Sequence, residues 1–253
     1  MSTAPAAKKM KTSGGPPLYS RVDLSKLTIC DKPVGSEIRH ATVTYGGSDR
    51  FTFQLSDATS SFRVPFGVDD GSRYGSKASL VFELPAEQLA FIQDGIEAAV
   101  KAAAVRNKAL WFSGIKPLPS DDAVRNGLNS RIKTDDSGKY PPSLKVNICL
   151  TKGPKHVLVH STTREANGRI SRPRCDSVDS VVRGCRVLPI LRTAGGVWMT
   201  VNAKKKTFEY GLVFEASELL VVVEESGGGS CSMNFEGVEV ASDTDEVEPS
   251  LEA

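Results

Sequence analysis

Short alternating runs of apolar and polar residues dominate the stretch 183–224 and predict β-strands. Turn residues interrupt these runs at Ala194-Gly195-Gly196 and again at Ala203-Lys204. The predicted strands are residues 187–192, 197–202, 207–214 and 219–223. We therefore expect two hairpin turns here, one at the glycine pair and one at the start of a lysine cluster.

The second of these predicted strands has one apolar face and one face that carries an aromatic ring. Side chains alternate along a strand, so Trp198 shares a face with Thr200 and Asn202. Phe208 and Tyr210 share one face of the third strand in the same way. We expect these rings on the surface of the sheet, and burial of Trp198 and Phe208 in the core is the alternative.

Shorter runs of the same kind occur through the first 160 residues. Residues 38–45 and 50–55 form a predicted hairpin around Gly46-Gly47-Ser48-Asp49. The further predicted strands are residues 22–30, 62–66, 79–84, 144–151 and 156–161. So many short strands with turn residues between them predict a mainly β fold.

One long amphipathic helix is predicted at residues 85–110. Pro85 suits a first helical turn, and apolar residues then recur every three or four positions. The apolar stripe consists of Leu89, Ile92, Ile96, Ala99 and Ala103. Because the helix has a single apolar stripe, we expect it to lie across the sheet or to cap one end of it.

The net charge of +2 hides an uneven distribution of charge along the chain. Residues 224–253 contain nine acids and no Lys or Arg, so the rest carries 32 basic and 21 acidic side chains, an excess of +11. Residues 101–210 alone contain 21 basic and 8 acidic side chains. A basic body with an acidic end favours a polyanionic partner.

Composition divides the chain into three parts. Residues 1–20 are mostly Ala, Pro, Gly, Ser and Lys and predict a disordered basic arm, in which residues 5–11 resemble a short nuclear import signal. Residues 21–225 are expected to fold as one domain. The run Gly227-Gly228-Gly229-Ser230 then predicts a flexible acidic tail at residues 226–253.

Aromatic rings beside lysines have the chemistry of a platform for single-stranded nucleic acid. Bases stack on the rings, and the ammonium and guanidinium groups pair with phosphates. Lys204, Lys205 and Lys206 directly follow the strand that carries Trp198. The predicted nucleic-acid-binding groove consists of Lys139, Tyr140, Lys145, Arg172, Arg174, Arg183, Arg186, Trp198, Lys204, Lys205, Lys206 and Tyr210.

No Walker loop, dinucleotide glycine fingerprint, nucleophile elbow or H-E-x-x-H motif occurs in the sequence. We therefore predict no catalytic residue, no metal site and no cofactor. Acidic pairs such as Asp135-Asp136 leave a magnesium-dependent nuclease as one alternative, although acids beside Ser and Gly more often form turns. A structural or assembly β-domain of a virus is another alternative.

The five cysteines are odd in number and form no C-x-x-C motif, which indicates reduced thiols in the cytosol or nucleus. The N-terminal region has no apolar segment after its lysines, so no secretory signal is predicted. No apolar run is long enough to span a membrane, and no membrane partner is expected.

Two segments carry a resemblance to a known family: YPPSLKVNI at 140–148 and GVWMTVNAKKKTFEYGLVFEASELLVV at 196–222. With the detached acidic end, they resemble the single-stranded-DNA-binding proteins of nucleocytoplasmic large DNA viruses, which are similar to short-tailed phage helix-destabilising proteins. The resemblance covers residues 20–225 in layout. It implies an elaborated oligonucleotide-binding (OB) β-barrel that binds single-stranded DNA without sequence preference in DNA replication, recombination or repair.

The resemblance also implies that the acidic tail contacts replication proteins and screens the groove. The phage proteins end in an aromatic residue, whereas this sequence ends Leu251-Glu252-Ala253, so tail docking of that kind is not carried over. The expected location is intracellular, in a host nucleus or at a viral replication site in the cytoplasm. RNA stays an alternative to DNA, since stacking and phosphate pairing serve both. A homo-oligomer is compatible with the sequence.

Deleting residues 226–253 is expected to tighten binding to single-stranded DNA several-fold at low salt, because seven acids no longer compete with phosphates. Fluorescence anisotropy of a labelled oligonucleotide measures the change. Equal affinity with and without these residues would remove the screening role.

Overall fold

The computed structural model describes residues 15–56, 61–69, 77–151, 153, 155–163 and 174–223. Residues 1–14 of the predicted basic arm and the whole predicted acidic tail lie outside the described residues. Residues 15–20 of the predicted arm are among the described residues and contact the rest of the protein. The Pro17 carbonyl accepts a 2.9 Å hydrogen bond from the Gln54 N–H, and the Tyr19 hydroxyl donates to Glu87 Oε2 at 3.0 Å.

The described secondary structure consists of thirteen strands, one long helical run, two short α-helices and three short 3-10 helices. The strands are β1 (Leu27–Ile29), β2 (Arg39–Ala41), β3 (Val43–Tyr45), β4 (Thr52–Gln54), β5 (Phe62–Arg63), β6 (Val68–Asp69), β7 (Lys77–Glu83), β8 (Ile132–Lys133), β9 (Ser143–Cys149), β10 (Leu158–Thr163), β11 (Arg174–Asp176), β12 (Arg186–Asn202) and β13 (Thr207–Val223). This composition confirms the predicted mainly β fold with one long helix.

The long helical run consists of α1 (Ala86–Ala90), a π-helical segment (Phe91–Glu97) and α2 (Ala98–Arg106). Two short helices follow, α3 (Lys108–Trp111) and α4 (Asp121–Asn126). Most of the predicted apolar stripe faces the core, where Ile92, Ile96 and Ala103 are buried; Val100, which is not part of that stripe, is buried as well. None of the helices among the described residues combines the length and apolar character needed to cross a membrane.

Strands β12 and β13 are each 17 residues long and pair along almost their whole length. The predicted hairpin turn at Gly195-Gly196 is wrong, because β12 continues through these residues. The ladder skips from the pair Thr193–Phe214 to the pair Val197–Leu212, so residues 194–196 bulge out opposite Val213. The predicted turn at Ala203-Lys204 is present and joins the two strands.

Other strands attach to both edges of this ribbon. β2, β4 and β5 pair with β12, whereas β9 and β10 pair in parallel with β13. β9 continues the sheet to β7 and β6. The predicted hairpin between residues 38–45 and 50–55 does not form, because β2 and β4 both pair with β12 and β3 pairs with β1. The described strands form open sheets, not the closed barrel that the resemblance implies.

The sheet has one face buried against the helix and one face turned away from it. Val197, Met199 and Phe214 belong to the core, and Val197 and Met199 share the apolar face that their alternation predicts. The side chains at the intervening positions point to the other side of the sheet. We call this side the open face, and it carries Lys145, Asn147, Arg192, Trp198 and Glu215.

The bulge requires glycine at residue 196. Gly196 has φ +85°, and a Cβ atom there would clash with the Ala41 carbonyl oxygen of β2. Gly195 has a similar φ of +70°, but its Cβ would meet only His40 Nδ1 at 3.8 Å. An alanine at Gly195 therefore introduces backbone strain alone, whereas an alanine at Gly196 introduces the same strain and a steric clash.

Gly195→Ala is expected to lower the free energy of unfolding by about 1–2 kcal/mol, the cost of a left-handed alanine. Gly196→Ala is expected to cost at least about 2 kcal/mol more, because backbone atoms cannot move aside as a flexible side chain can. Urea denaturation of both variants checks this difference. Equal losses for the two variants would contradict the observed packing of the bulge.

Candidate nucleic-acid interface

A row of polar side chains crosses the open face from strand to strand. Asn147 of β9 pairs with Glu215 of β13, and Glu215 pairs with Arg192 of β12. Arg192 Nε donates to Glu215 Oε2 at 2.8 Å, and both side chains are largely buried. Lys145 lies two residues before Asn147 and is half-buried on the same face of β9. The open face therefore combines a fixed ion pair with a lysine in an otherwise polar row.

Trp198 lies on the open face, as its position in the alternation predicts. The ring packs over Gly211 on the paired strand, where a Cβ atom would lie 3.1 Å from the indole Nε1. The Trp198 side chain is half-buried, and its Nε1 has no hydrogen-bond partner among the described residues. Part of the indole is thus accessible from the side of the sheet opposite the core.

Tyr210 is not on the open face, which corrects the predicted groove. It pairs with Met199, a core residue, so its ring points to the side opposite Trp198. Its hydroxyl donates to the Val124 carbonyl at 2.8 Å, and burial raises the pKa of the phenol well above its ordinary value. A ring that is fully buried against Trp111 cannot stack on a base.

The lysine cluster forms the turn between β12 and β13. Lys204, Lys205 and Lys206 are all exposed, and Asn202 Oδ1 accepts a 3.0 Å hydrogen bond from the Lys205 backbone N–H. None of the three lysines forms a salt bridge with an acid in the described part of the chain. Their ammonium groups are therefore available to phosphates.

A second basic and aromatic element precedes β9. The Asp135 carboxylate accepts hydrogen bonds from the Ser137 hydroxyl and from the backbone N–H groups of Lys139 and Tyr140. These bonds, the Ser137 hydroxyl first, hold the pKa of Asp135 below its ordinary value. The turn leaves Tyr140 62% exposed, with Lys139 Nζ 5.3 Å from its ring centroid. Asp135 therefore organises a turn. This is the role that the sequence favoured over a magnesium site for acids beside Ser and Gly.

These two elements lie at the same end of the sheet. β9 and β13 run parallel, and the loop with Lys139 and Tyr140 precedes β9 just as the turn with Lys204–Lys206 precedes β13. Lys133 of β8 pairs with Ser143 at this same end. We call this the basic end of the open face, and Trp198 lies between it and the row that contains Arg192.

Arg183 and Arg186 lie far from this surface. Arg186 begins β12, twelve residues before Trp198, which is on the order of 40 Å at strand rise, and Arg183 lies further away in the preceding turn. Arg186 donates to the hydroxyl and the carbonyl of Ser61 at 2.8 Å and 3.0 Å. Arg174 begins β11 without a described side chain, and Arg172 lies outside the described residues.

The open face also contains a cleft that the sequence analysis did not predict. It has a volume of about 470 Å³ and lies beside the bulge in β12. Its lining includes Arg50, Asn147, Lys155, Arg192, Gly195 and Glu215. These residues come from four separate parts of the chain, and only the long-range strand pairing brings them together. No group of three or more His, Cys, Asp or Glu side chains within the described ranges is placed to hold a metal ion.

No protein-family model matches the chain, and no curated protein matches it in sequence. Among solved structures, a C-terminally truncated single-stranded DNA-binding protein from bacteriophage Enc34 is similar over 81% of this chain and 99% of its own, with 13% identity and a TM-score of 0.38. The same phage protein in complex with single-stranded DNA is similar over 78% of this chain and 98% of its own, with 13% identity and a TM-score of 0.33. Similarity at this level carries no weight in assigning a function here.

Tyr210→Phe is expected to lower the free energy of unfolding by about 1 kcal/mol, because its hydrogen bond to the Val124 carbonyl is lost, while that carbonyl keeps the 3.1 Å bond from the Gly127 N–H. Its affinity for an oligonucleotide is expected to stay unchanged, since the ring is sealed in the core. Tyr140→Ala, at an exposed position, is expected to show the reverse pattern. Urea denaturation and oligonucleotide anisotropy separate the two effects, and weaker binding by Tyr210→Phe would return Tyr210 to the groove.

Proposed function

We propose that this protein binds single-stranded DNA without sequence preference along the open face. The observation that carries the proposal is the placement of a partly accessible Trp198 between the exposed lysines of the basic end and the polar row of Lys145, Asn147 and Arg192. Stacking and phosphate contacts are then offered by one continuous side of the sheet.

Rings that face solvent favour an unpaired strand over a duplex. Each base of a single strand has a free π-face, and stacking on an aromatic side chain is worth about 1–3 kcal/mol per base whatever the base. In a duplex the same faces are already stacked inside the helix. Trp198 and Tyr140 are the two rings that the open face and its basic end expose.

Lysines supply the part of the affinity that does not depend on sequence. Phosphate contacts release counterions, so the affinity falls linearly on a logarithmic scale as salt rises. Lys145, Lys204, Lys205, Lys206 and Lys139 are the proposed phosphate contacts, and Tyr140 extends the stacking surface. A longer bound strand is proposed to reach Arg172, Arg174 and Arg183 beyond the open face. Tyr210 is not a proposed contact, because its ring is buried.

The proposed cellular role is protection of unpaired strands during DNA replication, recombination or repair inside the cell. Residues 226–253 are the proposed contact with replication proteins, because seven acids without a basic residue suit a basic partner surface. A host nucleus or a viral replication site in the cytoplasm is the proposed location. RNA is the alternative ligand, and the same assay with a uridine oligonucleotide measures its affinity.

Replacing Lys204, Lys205 and Lys206 together by Gln is expected to weaken binding and to reduce the salt dependence. Each lost contact to a single strand removes about 0.7 from the slope of log affinity against log salt, so three contacts remove about 2. Anisotropy of a labelled oligo(dT) at several salt concentrations measures the slope.

The matched control replaces Lys26, Lys101 and Arg106 by Gln. Lys101 and Arg106 lie on α2 and Lys26 lies just before β1. Lys26 already pairs with Asp23 at 3.5 Å, and Arg106 pairs with Asp31 at 3.3 Å. The control is expected to keep nearly the full slope. An equal reduction in both triple variants would show that net charge, and not the open face, determines binding, and tighter binding to a duplex than to oligo(dT) would contradict the proposed function itself.

A further inference from the structure

The cleft beside the bulge contains a guanidinium that is held in place and only partly used. Arg192 is 8% exposed, and its Nε donates to Glu215 Oε2 while its Nη2 donates to the Lys155 carbonyl at 2.9 Å. These two bonds fix the plane of the group. Its third nitrogen, Nη1, has no hydrogen-bond partner among the described residues. Unlike the buried unpaired atoms of the described residues, Nη1 is not closed off from solvent. Nη1 is therefore a preoriented donor that solvent or a ligand reaches.

Acceptor and amide groups lie directly beside that donor. Only Oε2 of Glu215 is engaged by Arg192, and the side-chain amide of Asn147 makes no hydrogen bond with a described residue. Asn147, Glu215 and Arg192 occupy paired positions on three adjacent strands about 4.8 Å apart, so the three side chains lie within roughly 10 Å of one another. The floor of the cleft thus offers a hydrogen-bond donor from Arg192, an acceptor from Glu215, and the Asn147 amide, which can donate and accept.

The rim of the cleft has a different character. Arg50 and Lys155 are exposed cations at its edge, Asp49 is one exposed acid beside Arg50, and the backbone of residues 194–196 lines one wall. A bulge takes its residues out of the ladder, which leaves peptide groups and a flat glycine surface facing the cavity. Cations at the rim suit a phosphate, whereas the floor suits the hydrogen-bonding edge of a planar polar group.

We propose that this cleft is a nucleotide pocket that holds one unstacked nucleotide of the bound strand, with its base edge on Arg192 Nη1, Glu215 and Asn147 and its phosphate at Arg50 and Lys155. The proposal rests on the proposed single-strand binding and adds an anchor point to it. Base edges carry the donors and acceptors that arginine, glutamate and asparagine read. Taking one base out of the stack costs least in a strand that is already unpaired. The cavity volume is within the range of ordinary small-molecule sites.

Free dGMP is the probe, because the O6 and N7 acceptors of guanine are those that a guanidinium pairs with best. Saturation-transfer NMR on the full chain measures dGMP binding, and competition against labelled oligo(dT) by anisotropy shows whether dGMP occupies the path of the strand. We expect dGMP to bind weakly and to displace oligo(dT) at high concentration.

Two variants test the floor and the rim without breaking the buried ion pair. Asn147→Ala removes the amide, and the double variant Arg50→Gln/Lys155→Gln removes the exposed cations. Each is expected to weaken dGMP binding about tenfold, through the loss of a hydrogen bond to the base edge in the first variant and of the cations beside the phosphate in the second. The control Lys101→Gln/Arg106→Gln, on α2, is expected to leave dGMP binding unchanged.

The outcomes separate this pocket from the proposed function. Binding of oligo(dT) without any dGMP binding, or with equal dGMP affinity in all variants, would overturn the pocket and leave strand binding intact. Binding of dGMP that never displaces oligo(dT) would overturn the anchor and indicate a separate site for free nucleotides. Loss of dGMP affinity in both cleft variants, with no oligo(dT) binding by the unaltered protein, would support the pocket while the proposed function fails.

Discussion

The pairing of β12 with β13 is the constraint on which the rest of the structure depends. Two strands of 17 residues each expose backbone groups along both outer edges, and five further strands attach to those edges. The register of the pair decides which side chains meet the helix and which turn away from it. It also brings the lysine turn and the loop before β9 to one end of the sheet.

The bulge at Gly195-Gly196 is the feature that gives this ribbon its local chemistry. Residues 194–196 leave the ladder, and Gly196 lets the backbone approach β2 more closely than any side chain permits. The bulge opens the cleft beside the ion pair of Arg192 and Glu215. A continuous ladder would leave the same polar row on the sheet without a cavity beside it. The bulge in β12 therefore shapes both the local fold of the ribbon and the proposed pocket.

Local alternation in the sequence was sufficient to predict the mainly β fold, the long helix and the face of Trp198 relative to Met199. It was insufficient for Tyr210, because the side to which a strand residue points depends on its partner strand. Tyr210 pairs with Met199 and is thereby placed in the core. Gly195-Gly196 is equally ambiguous, since glycines with positive φ serve both turns and bulges. The cleft joins Arg50, Lys155 and Arg192, which no local pattern connects.

Tryptophan fluorescence tests most directly whether the open face binds single strands. Trp111 is fully buried and Trp198 is partly accessible, so poly-dT is predicted to quench the emission of the unaltered protein and to leave the emission of a Trp198→Phe variant nearly unchanged. Anisotropy of a labelled strand, run in parallel at low salt, confirms that the strand is bound. A bound strand that quenches neither protein, or that quenches both equally, would contradict the placement of the interface on the open face.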